Sequence, residues 1–231
     1  SGRVPVFENR DDDNCFFIER EKHSDIISVL KELVMNRIPR KYSADPLRDI
    51  QILSPVHSGD IGTASVNRVF QKEFYLSGNH IDSGGYRYFE GDKILQSVNN
   101  YDKRVFNGDI GYIESILKDN VVVDYDGVSV KYTRPELKEI VPAHCITVHK
   151  SQGCEFDHVI MVLSTSHYIM LKRNILYTGL TRAKTSCIII GSLRALKICI
   201  KNNSVASRYS NLDQRLNTEK PSFNNKCYYK G

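Results

Sequence analysis

Several features that would assign the chain to a large class of proteins are absent from its sequence. No apolar run approaches the roughly 20 residues that a membrane-spanning helix requires. The first residues lack the charged-then-apolar order of a signal peptide, and the six cysteines include no C-x-x-C pair. We therefore expect a cytoplasmic protein with no membrane span, no metal site and no disulfide framework.

Two motifs that bind ATP are also missing. The sequence contains no G-x-x-x-x-G-K-[ST] loop, since Gly91-Asp92-Lys93 lacks both the upstream glycine and the hydroxyl residue after the lysine. It also contains no Asp-Glu pair at the end of an apolar strand to hold magnesium and activate water. The chain by itself is therefore not expected to hydrolyse a nucleoside triphosphate.

What the sequence does contain is the composition of a globular protein. Its 231 residues are 41% hydrophobic and 26% charged, which suits one substantial core with a small appended module. The net charge of +5 is concentrated in segment 201–231, where six Lys or Arg against two acidic residues supply +4. Such a basic tail can attract nucleic acid, but we favour the simpler interpretation of a solvated tail.

Strand-like and helix-like segments alternate through most of the chain. In chain order these are strand 15–18, helix 24–34, strand 49–54, helix 66–74, strand 158–163, helix 173–183, strand 187–191 and helix 192–200. The first helix is predicted to open with Ser24 as its cap and to close before Pro39. This order is typical of an α/β protein with a parallel sheet flanked by helices.

The alternation is interrupted between residues 91 and 140. Four short β-type runs follow one another there, separated by Asn-Gly, Asp-Asn and Asp-Gly turn signals, at 93–98, 110–117, 121–125 and 128–132. They predict a small antiparallel β-barrel inserted into the larger domain. Residues 1–90 and 141–200 would then form the larger domain, 91–140 the barrel and 201–231 the basic tail.

Two polar segments are candidates for a functional site. Residues 146–156, "ITVHKSQGCEF", place many different polar groups directly before an apolar strand. Further along, a predicted helix ends in Thr181-Arg182 and projects a guanidinium past its last turn. That guanidinium can serve as an arginine finger for a nucleotide on a neighbouring domain, or it can be an ordinary cation favoured by the negative end of a helix.

The two polar segments together resemble known motifs. Residues 143–156 resemble motif V of superfamily 1 helicases, and residues 176–184 resemble their motif VI, in the right order along the chain. Residues 91–96, 99–102 and 105–111 are similar to the RecD/TraA branch of that superfamily. The resemblance extends from about Val4 to Leu196 and leaves out only the basic tail.

The resemblance implies a fold and an activity. Such helicases have two RecA-like domains that hold ATP with Mg²⁺ in the cleft between them and single-stranded DNA across their top. This chain resembles the second domain with its inserted Src-homology-like barrel, so the phosphate loop would belong to a separate, upstream domain. The implied function is ATP-driven movement on DNA, 5′ to 3′, in repair and recombination. The alternative is a non-catalytic module that binds nucleic acid or protein.

The resemblance also implies roles for individual residues. Arg182 would act as the arginine finger, and Glu155 would accept hydrogen bonds from the ribose. Gln152 and Gly153 would couple the nucleotide to DNA, with Gly153 permitting a sharp turn after a short helix. The residues implied to face DNA are Thr147, His149, Lys150 and Ser151. Some of these could instead be structural, with Thr147 as a cap and His149 as a core histidine.

Two further sets of residues carry open alternatives. The family usually has a basic residue in segment 54–59, where this chain has only His57 and Ser58 as weaker substitutes, so either Arg182 acts largely alone or another cation such as Arg68 reaches the phosphate. In the barrel, five residues could bind DNA by stacking and hydrogen bonding: Asn99, Asn100, Tyr101, Phe106 and Asn107. Equally, the asparagines could form turns while the two aromatic residues fill the barrel core.

Overall fold

The computed structural model describes residues 13–75 and 77–203. The basic tail, except for residues 201–203, lies outside the described residues. So does the part of the family resemblance that precedes residue 13. The described strands are β1 (Cys15–Glu19), β2 (Ile50–Ser54), β3 (His80–Ser83), β4 (Tyr86–Phe89), β5 (Lys93–Gln96), β6 (Ile110–Ile116), β7 (Asn120–Tyr125), β8 (Val128–Thr133), β9 (Ile140–Pro142), β10 (Cys145–Thr147), β11 (Phe156–Leu163) and β12 (Ala183–Gly191). The described α-helices are α1 (His23–Glu32), α2 (Ile38–Tyr42), α3 (Thr63–Phe74), α4 (Arg173–Leu180) and α5 (Leu193–Lys201).

The first sheet is parallel and confirms the predicted α/β fold. Its five strands lie in the order β1-β12-β11-β2-β10. Residues 159–163 of β11 are fully buried, as expected for a parallel sheet that is covered on both faces. One face packs against α1, α2 and α3, and the other packs against α4, α5 and the segment that follows β10.

The second sheet is antiparallel and corresponds to the predicted Src-homology-like insertion. Its order is β8-β7-β6-β5-β9, and short turns join β6 to β7 and β7 to β8. The turn between β7 and β8 contains Asp126 and Gly127, both with positive φ, which suits a tight hairpin. The four strands predicted from sequence are therefore all present, and β9 completes the sheet.

A hairpin of β3 and β4 is not predicted from the sequence. Its Ile81 and Tyr88 pack into the core of the second sheet, and the Tyr88 hydroxyl donates to the carbonyl of Ile140 at 2.8 Å. The division at residue 91 stays a prediction. On packing, however, we propose that the hairpin before Gly91 belongs with the second sheet.

Several element boundaries differ from the sequence prediction. Helix α1 begins at His23, and the Ser24 hydroxyl bonds Asp25 instead of capping the helix. Pro39 does not end the helical segment, because a π-helical turn precedes it and places it in the first turn of α2, where its missing N–H is tolerated. Helix α4 ends at Leu180, and β12 starts at Ala183.

A buried polar cluster joins the two sheets. The carboxylate of Asp92 is fully buried; it shares a hydrogen bond of 2.7 Å with His144 Nε2 and accepts another of 2.6 Å from Gln71 Nε2. These three side chains come from the start of β5, the start of β10 and helix α3. Because a buried carboxylate is costly unless it is hydrogen-bonded, the cluster fixes how the insertion sits on the parallel sheet.

Lys93 is the next residue in this joint and is almost entirely buried. Its ammonium donates to the carbonyl of Ile50 in β2 at 3.2 Å and lies 5.6 Å from the centre of the Phe156 ring. Burial lowers the pKa of Lys93 to about 7, although Asp45 and Asp49 oppose the shift. The Gly-Asp-Lys sequence that supports the family resemblance is therefore a structural joint.

Lys93 should make the stability of the chain depend on pH. The unfolded chain holds this proton up to about pH 10.5 and the folded chain releases it above about pH 7, so the free energy of unfolding rises with pH between these values. In the Lys93→Met variant, the increase in the free energy of unfolding from pH 7.5 to pH 9.5 should be about 2 kcal/mol smaller than in the unsubstituted chain. Urea denaturation at both pH values measures it.

The matched control for this prediction is Lys118→Met, because Lys118 is exposed. This variant should keep the pH profile of the unsubstituted chain. If Lys93→Met also keeps that profile, the buried ammonium does not lose its proton near neutral pH.

Candidate nucleotide and nucleic-acid interface

The segment 148–155 runs from the carboxyl ends of the parallel strands back to their amino ends. We call these two ends of the sheet the carboxyl edge and the amino edge. Thr147 ends β10 level with Ser54 at the carboxyl end of β2, and Phe156 begins β11 beside Ala183 at the amino end of β12. Because β10 and β11 flank β2 and run parallel to it, the intervening residues must return along the full length of β2. We call residues 148–155 the crossover.

The register of the strands gives the span of the crossover. His158 pairs with Ile50 and Thr147 pairs with Ser54, so Phe156 is about six residues below Thr147 along the direction of β2. At about 3.3 Å per residue, the two ends of the crossover are roughly 20 Å apart. The sequence prediction of a short helix here is wrong, because residues 148–153 form successive turns.

The first turn of the crossover is held by Thr147 and Ser151. The Thr147 hydroxyl accepts from the Lys150 N–H at 3.3 Å, which supports its interpretation as a cap. Ser151 is fully buried, and its hydroxyl donates to the carbonyl of Val148 at 2.7 Å. The expectation that Ser151 faces DNA is therefore wrong, because its side chain is enclosed and hydrogen-bonded inside the turn.

The other polar residues of the crossover reach the surface. His149, Lys150, Gln152 and Glu155 are exposed, so His149 is not a core histidine. Partial burial of the Lys150 stem lowers the pKa of its ammonium. The exposed residues at the carboxyl edge carry donors suited to phosphates, whereas Glu155 offers acceptor oxygens near the amino edge.

Gly153 provides the backbone turn that the sequence analysis expected of it. Its φ is +89°, a region that residues with a β-carbon adopt at a cost, and a β-carbon built there meets no atom within 4 Å. The glycine is therefore required by the backbone conformation and not by lack of space.

Arg182 is held in place at the amino edge by three hydrogen bonds. Its Nε donates to the carbonyl of Thr178 at 3.1 Å, one Nη donates to the carbonyl of Cys154 at 2.9 Å, and the other donates to the Thr181 hydroxyl at 3.1 Å. The side chain therefore connects the end of α4 to the crossover directly before Glu155.

The guanidinium of Arg182 retains capacity for a ligand. A guanidinium carries more N–H donors than these three bonds use, and none of its partners is charged. Within residues 13–75 and 77–203, Arg182 has no carboxylate partner within ion-pair distance. The bond to Thr178 also agrees with a cation at a helix end, so the geometry accommodates both interpretations of this residue.

His57 lies far from Arg182. It follows β2 at the carboxyl edge, where its Nδ1 and the Thr63 hydroxyl are 2.8 Å apart, whereas Arg182 precedes β12 at the amino edge. Arg68 lies on α3, on the opposite face of the sheet from α4, and lines a cleft beside the β3–β4 hairpin. Neither residue is placed to share a phosphate with Arg182, so the geometry favours Arg182 acting alone.

The candidate residues of the inserted sheet divide into two groups. Asn99 and Asn100 form turns, since their side-chain oxygens accept the backbone N–H groups of Asn107 and Lys103, at 2.8 and 3.1 Å. Tyr101 and Phe106 do not fill the core; they are 74% and 45% exposed, with ring centres 6.0 Å apart. The exposed aromatic pair offers faces on which bases could stack.

A cleft at the carboxyl edge was not anticipated from the sequence. It has a volume of about 590 Å³ and includes loops that follow β1, β2 and β11, which pattern reasoning treats separately. His23 is 3.0 Å from the Asp60 carboxylate and 3.1 Å from the Ser164 hydroxyl. Burial lowers the pKa of the neighbouring His167 to about 4. Clefts of this kind, outside the carboxyl ends of parallel strands, commonly bind ligands.

The residues at the amino edge fit part of an ATP–Mg²⁺ complex. Arg182 has spare donors for a phosphate and Glu155 has exposed acceptors for ribose hydroxyls. Among the residues that the structure describes, no group of three or more His, Cys, Asp or Glu side chains could hold a metal ion. No described helix is long and apolar enough to cross a bilayer.

Comparisons with known proteins agree with this fold. A model of the UvrD-like helicase C-terminal domain matches residues 142–190, and a model of the ATP-dependent RecD-like DNA helicase SH3 domain matches residues 66–125. The chain's fold is similar to that of a Bacteroides Pif1 helicase solved with ADP-AlF3 and ssDNA, with a TM-score of 0.51, 17% identity and coverage of 85% of this chain and 51% of that one. The matched models are those of helicase domains, and the similar structure shares the fold of this chain.

Relatives in sequence narrow the class further. The chain is 34% identical over 154 residues to the ATP-dependent RecD2 DNA helicase of Deinococcus radiodurans, covering 64% of this chain and 21% of that protein. It is 27% identical over 207 residues to the RecBCD enzyme subunit RecD of Buchnera aphidicola subsp. Schizaphis graminum, covering 82% and 34%. The chain is similar to RecD helicases and spans about a fifth to a third of the length of these relatives.

Replacing Gly153 should destabilise the folded chain through its backbone alone. Gly153→Ala should lower the free energy of unfolding by about 1 kcal/mol, because alanine resists a positive φ. Gly153→Asn should cost less, since asparagine enters this region more readily. Urea denaturation of both variants tests this. Equal stability of Gly153→Ala and the unsubstituted chain would contradict a strained turn.

Proposed function

We propose that this chain is the C-terminal motor domain of an ATP-dependent DNA helicase. It would supply an arginine finger, a ribose contact and a grip on single-stranded DNA to a separate, upstream ATP-binding domain. The observation that carries the proposal is the Arg182 guanidinium, which is oriented by three uncharged partners beside Glu155 and retains free donors.

The amino edge of the sheet would meet the nucleotide. ATP with Mg²⁺, held mainly by the upstream domain, supplies the phosphoryl group whose transfer drives the motor. Arg182 would stabilise negative charge on the terminal phosphate, and Glu155 would accept hydrogen bonds from ribose hydroxyls. Because its partners are carbonyl and hydroxyl oxygens, Arg182 needs to break no ion pair before it binds a phosphate.

The carboxyl edge would hold single-stranded DNA. His149 and Lys150 are exposed directly after Thr147 and can donate to backbone phosphates without reading sequence. The inserted sheet contacts the amino ends of β2 and β11 and not the carboxyl edge, so Tyr101, with Asn99, Asn100 and Asn107 around it, would add a second, separate set of stacking and polar contacts to the DNA. The chain is similar to the RecD2 DNA helicase of Deinococcus radiodurans and to the SH3 domain of RecD-like DNA helicases, which supports DNA as the ligand.

The crossover would connect the two ligands. Closure of the upstream domain on Arg182 and Glu155 would move the amino end of the crossover, and Gln152 and Gly153 would transmit that movement toward Lys150. Each cycle of closing and opening would shift the grip along the strand. We propose the 5′ to 3′ direction, a role in repair and recombination, and a cytoplasmic location from the family resemblance alone.

A non-catalytic binding module is the alternative function. Such a module would bind nucleic acid or a protein without needing Arg182 to be oriented or Glu155 to be exposed. The presence of Thr147, Gln152, Glu155 and Arg182 together favours the motor, since a module that works without ATP would be free to lose them.

The proposal predicts a large kinetic effect of Arg182. In a protein that contains this chain and its upstream ATP-binding domain, Arg182→Ala should lower DNA-stimulated ATPase turnover by about 10³- to 10⁵-fold. Arg182→Lys should recover little, because an ammonium cannot keep the three bonds and also contact a phosphate. Turnover is measured at saturating ATP and DNA.

The matched control is Arg194→Ala, since Arg194 is exposed on α5 and is not among the candidate site residues. It should retain the unsubstituted turnover. If Arg182→Ala also retains turnover, or if the assembled protein has no DNA-stimulated ATPase, the binding-module alternative replaces the motor.

A further inference from the structure

Two cysteines face each other on neighbouring strands of the parallel sheet. Cys15 in β1 is the direct register partner of Cys187 in β12. Paired strands lie about 4.8 Å apart, which is within the Cα separation of roughly 4.4 to 6.8 Å that disulfides span. Both side chains pack into the same hydrophobic core, so they point to the same face of the sheet.

The two thiols are chemically unequal. Interaction with the Cys187 thiol lowers the pKa of Cys15, although burial and Asp13 oppose the shift. The same contact, together with burial, raises the pKa of Cys187. Cys15 lies half-buried on the outermost strand of the sheet, whereas Cys187 is almost fully enclosed. Cys15 is therefore the accessible nucleophile and Cys187 its neighbouring partner.

The other described cysteines do not combine a facing cysteine with a lowered pKa. Burial raises the pKa of Cys145 and raises the pKa of Cys199 to about 12, and both thiols are enclosed. The pKa of Cys154 is also raised, first by burial, although Arg182 partly offsets it. Since the thiolate is the reactive form, these three thiols should react slowly. Cys227 lies outside the described residues.

We propose that Cys15 and Cys187 form a reversible redox pair that closes as a disulfide under peroxide. The Cys15 thiolate attacks one oxygen of hydrogen peroxide, the O–O bond breaks, and a sulfenic acid and hydroxide result. The Cys187 sulfur then attacks the Cys15 sulfur, the S–O bond breaks, and the hydroxyl group leaves as water with the proton of the Cys187 thiol. In sum, two thiols and one peroxide give one disulfide and two waters.

The position of the pair gives the bond a structural consequence. It ties the edge strand β1 to β12, the strand that begins directly after Arg182. Parallel strands hold facing β-carbons slightly farther apart than the roughly 3.5 to 4.5 Å of relaxed disulfides, so the strands must approach each other. A bond formed with strain is readily reduced, which suits a reversible pair and not a permanent crosslink.

Peroxide treatment of the full 231-residue chain tests the proposal. Stoichiometric hydrogen peroxide should yield, after non-reducing digestion, a linked peptide containing Cys15 and Cys187, about 2 Da lighter than the two free peptides together. Dithiothreitol should restore both free peptides. Cys154→Ser, the matched control, should form the same link to the same extent.

Two further variants separate this reaction from misfolding. Cys15→Ser should keep the circular dichroism spectrum and form no link. In Cys187→Ala, oxidation should stop at a Cys15 sulfenic acid, which dimedone labels. The absence of a linked peptide in this variant can then be told apart from a failure of Cys15 to react. The proposal is overturned if Cys15 stays reduced, if it links to Cys227 or another cysteine, or if Cys187→Ala gives no dimedone adduct. None of these outcomes depends on helicase activity, so this inference and the proposed function can fail separately.

Discussion

The parallel pairing of β10, β2 and β11 is the constraint on which the candidate site depends. Two strands that flank a third and run in its direction must be joined by a segment that returns along the whole strand. Here that segment is the crossover, which has no room for a helix of useful length and crosses in tight turns stabilised by Thr147, Ser151 and Gly153. One short segment therefore exposes side chains at both edges of the sheet.

The joint between the two sheets has a different physical basis. A buried carboxylate and a buried ammonium are adjacent in sequence, and both are satisfied by groups of the parallel sheet or α3. Replacing a hydrogen-bond partner of either charge leaves that charge uncompensated in a buried site, so the joint tolerates little change. The same joint carries β5 and its loop toward the crossover, where the Cys154 thiol lies 3.7 Å from the carbonyl of Gly108.

Much of the fold could be predicted from the sequence, because the spacing of apolar residues and the residue types of tight turns are local features of the chain. The run 158–163 and the Asp-Gly turn at 126–127 identify a buried strand and a hairpin without knowledge of their neighbours. Ser151 was assigned wrongly because only the packed turn reveals that it is enclosed. The hairpin of β3 and β4, the His23 cleft and the Cys15–Cys187 pair all arise from residues distant in sequence, and no local pattern signals such contacts.

The central claim is that the crossover transmits free energy between a nucleotide and DNA. The most direct test inserts two glycines after Gly153 in a protein that contains both RecA-like domains, and measures the Kd for single-stranded DNA with and without a non-hydrolysable ATP analogue. Without the insertion, the analogue should change the Kd by about 5- to 150-fold, as allosteric couplings do. With it, each ligand should still bind, but the analogue should no longer change the Kd. An unchanged coupling factor in the insertion variant would contradict the account.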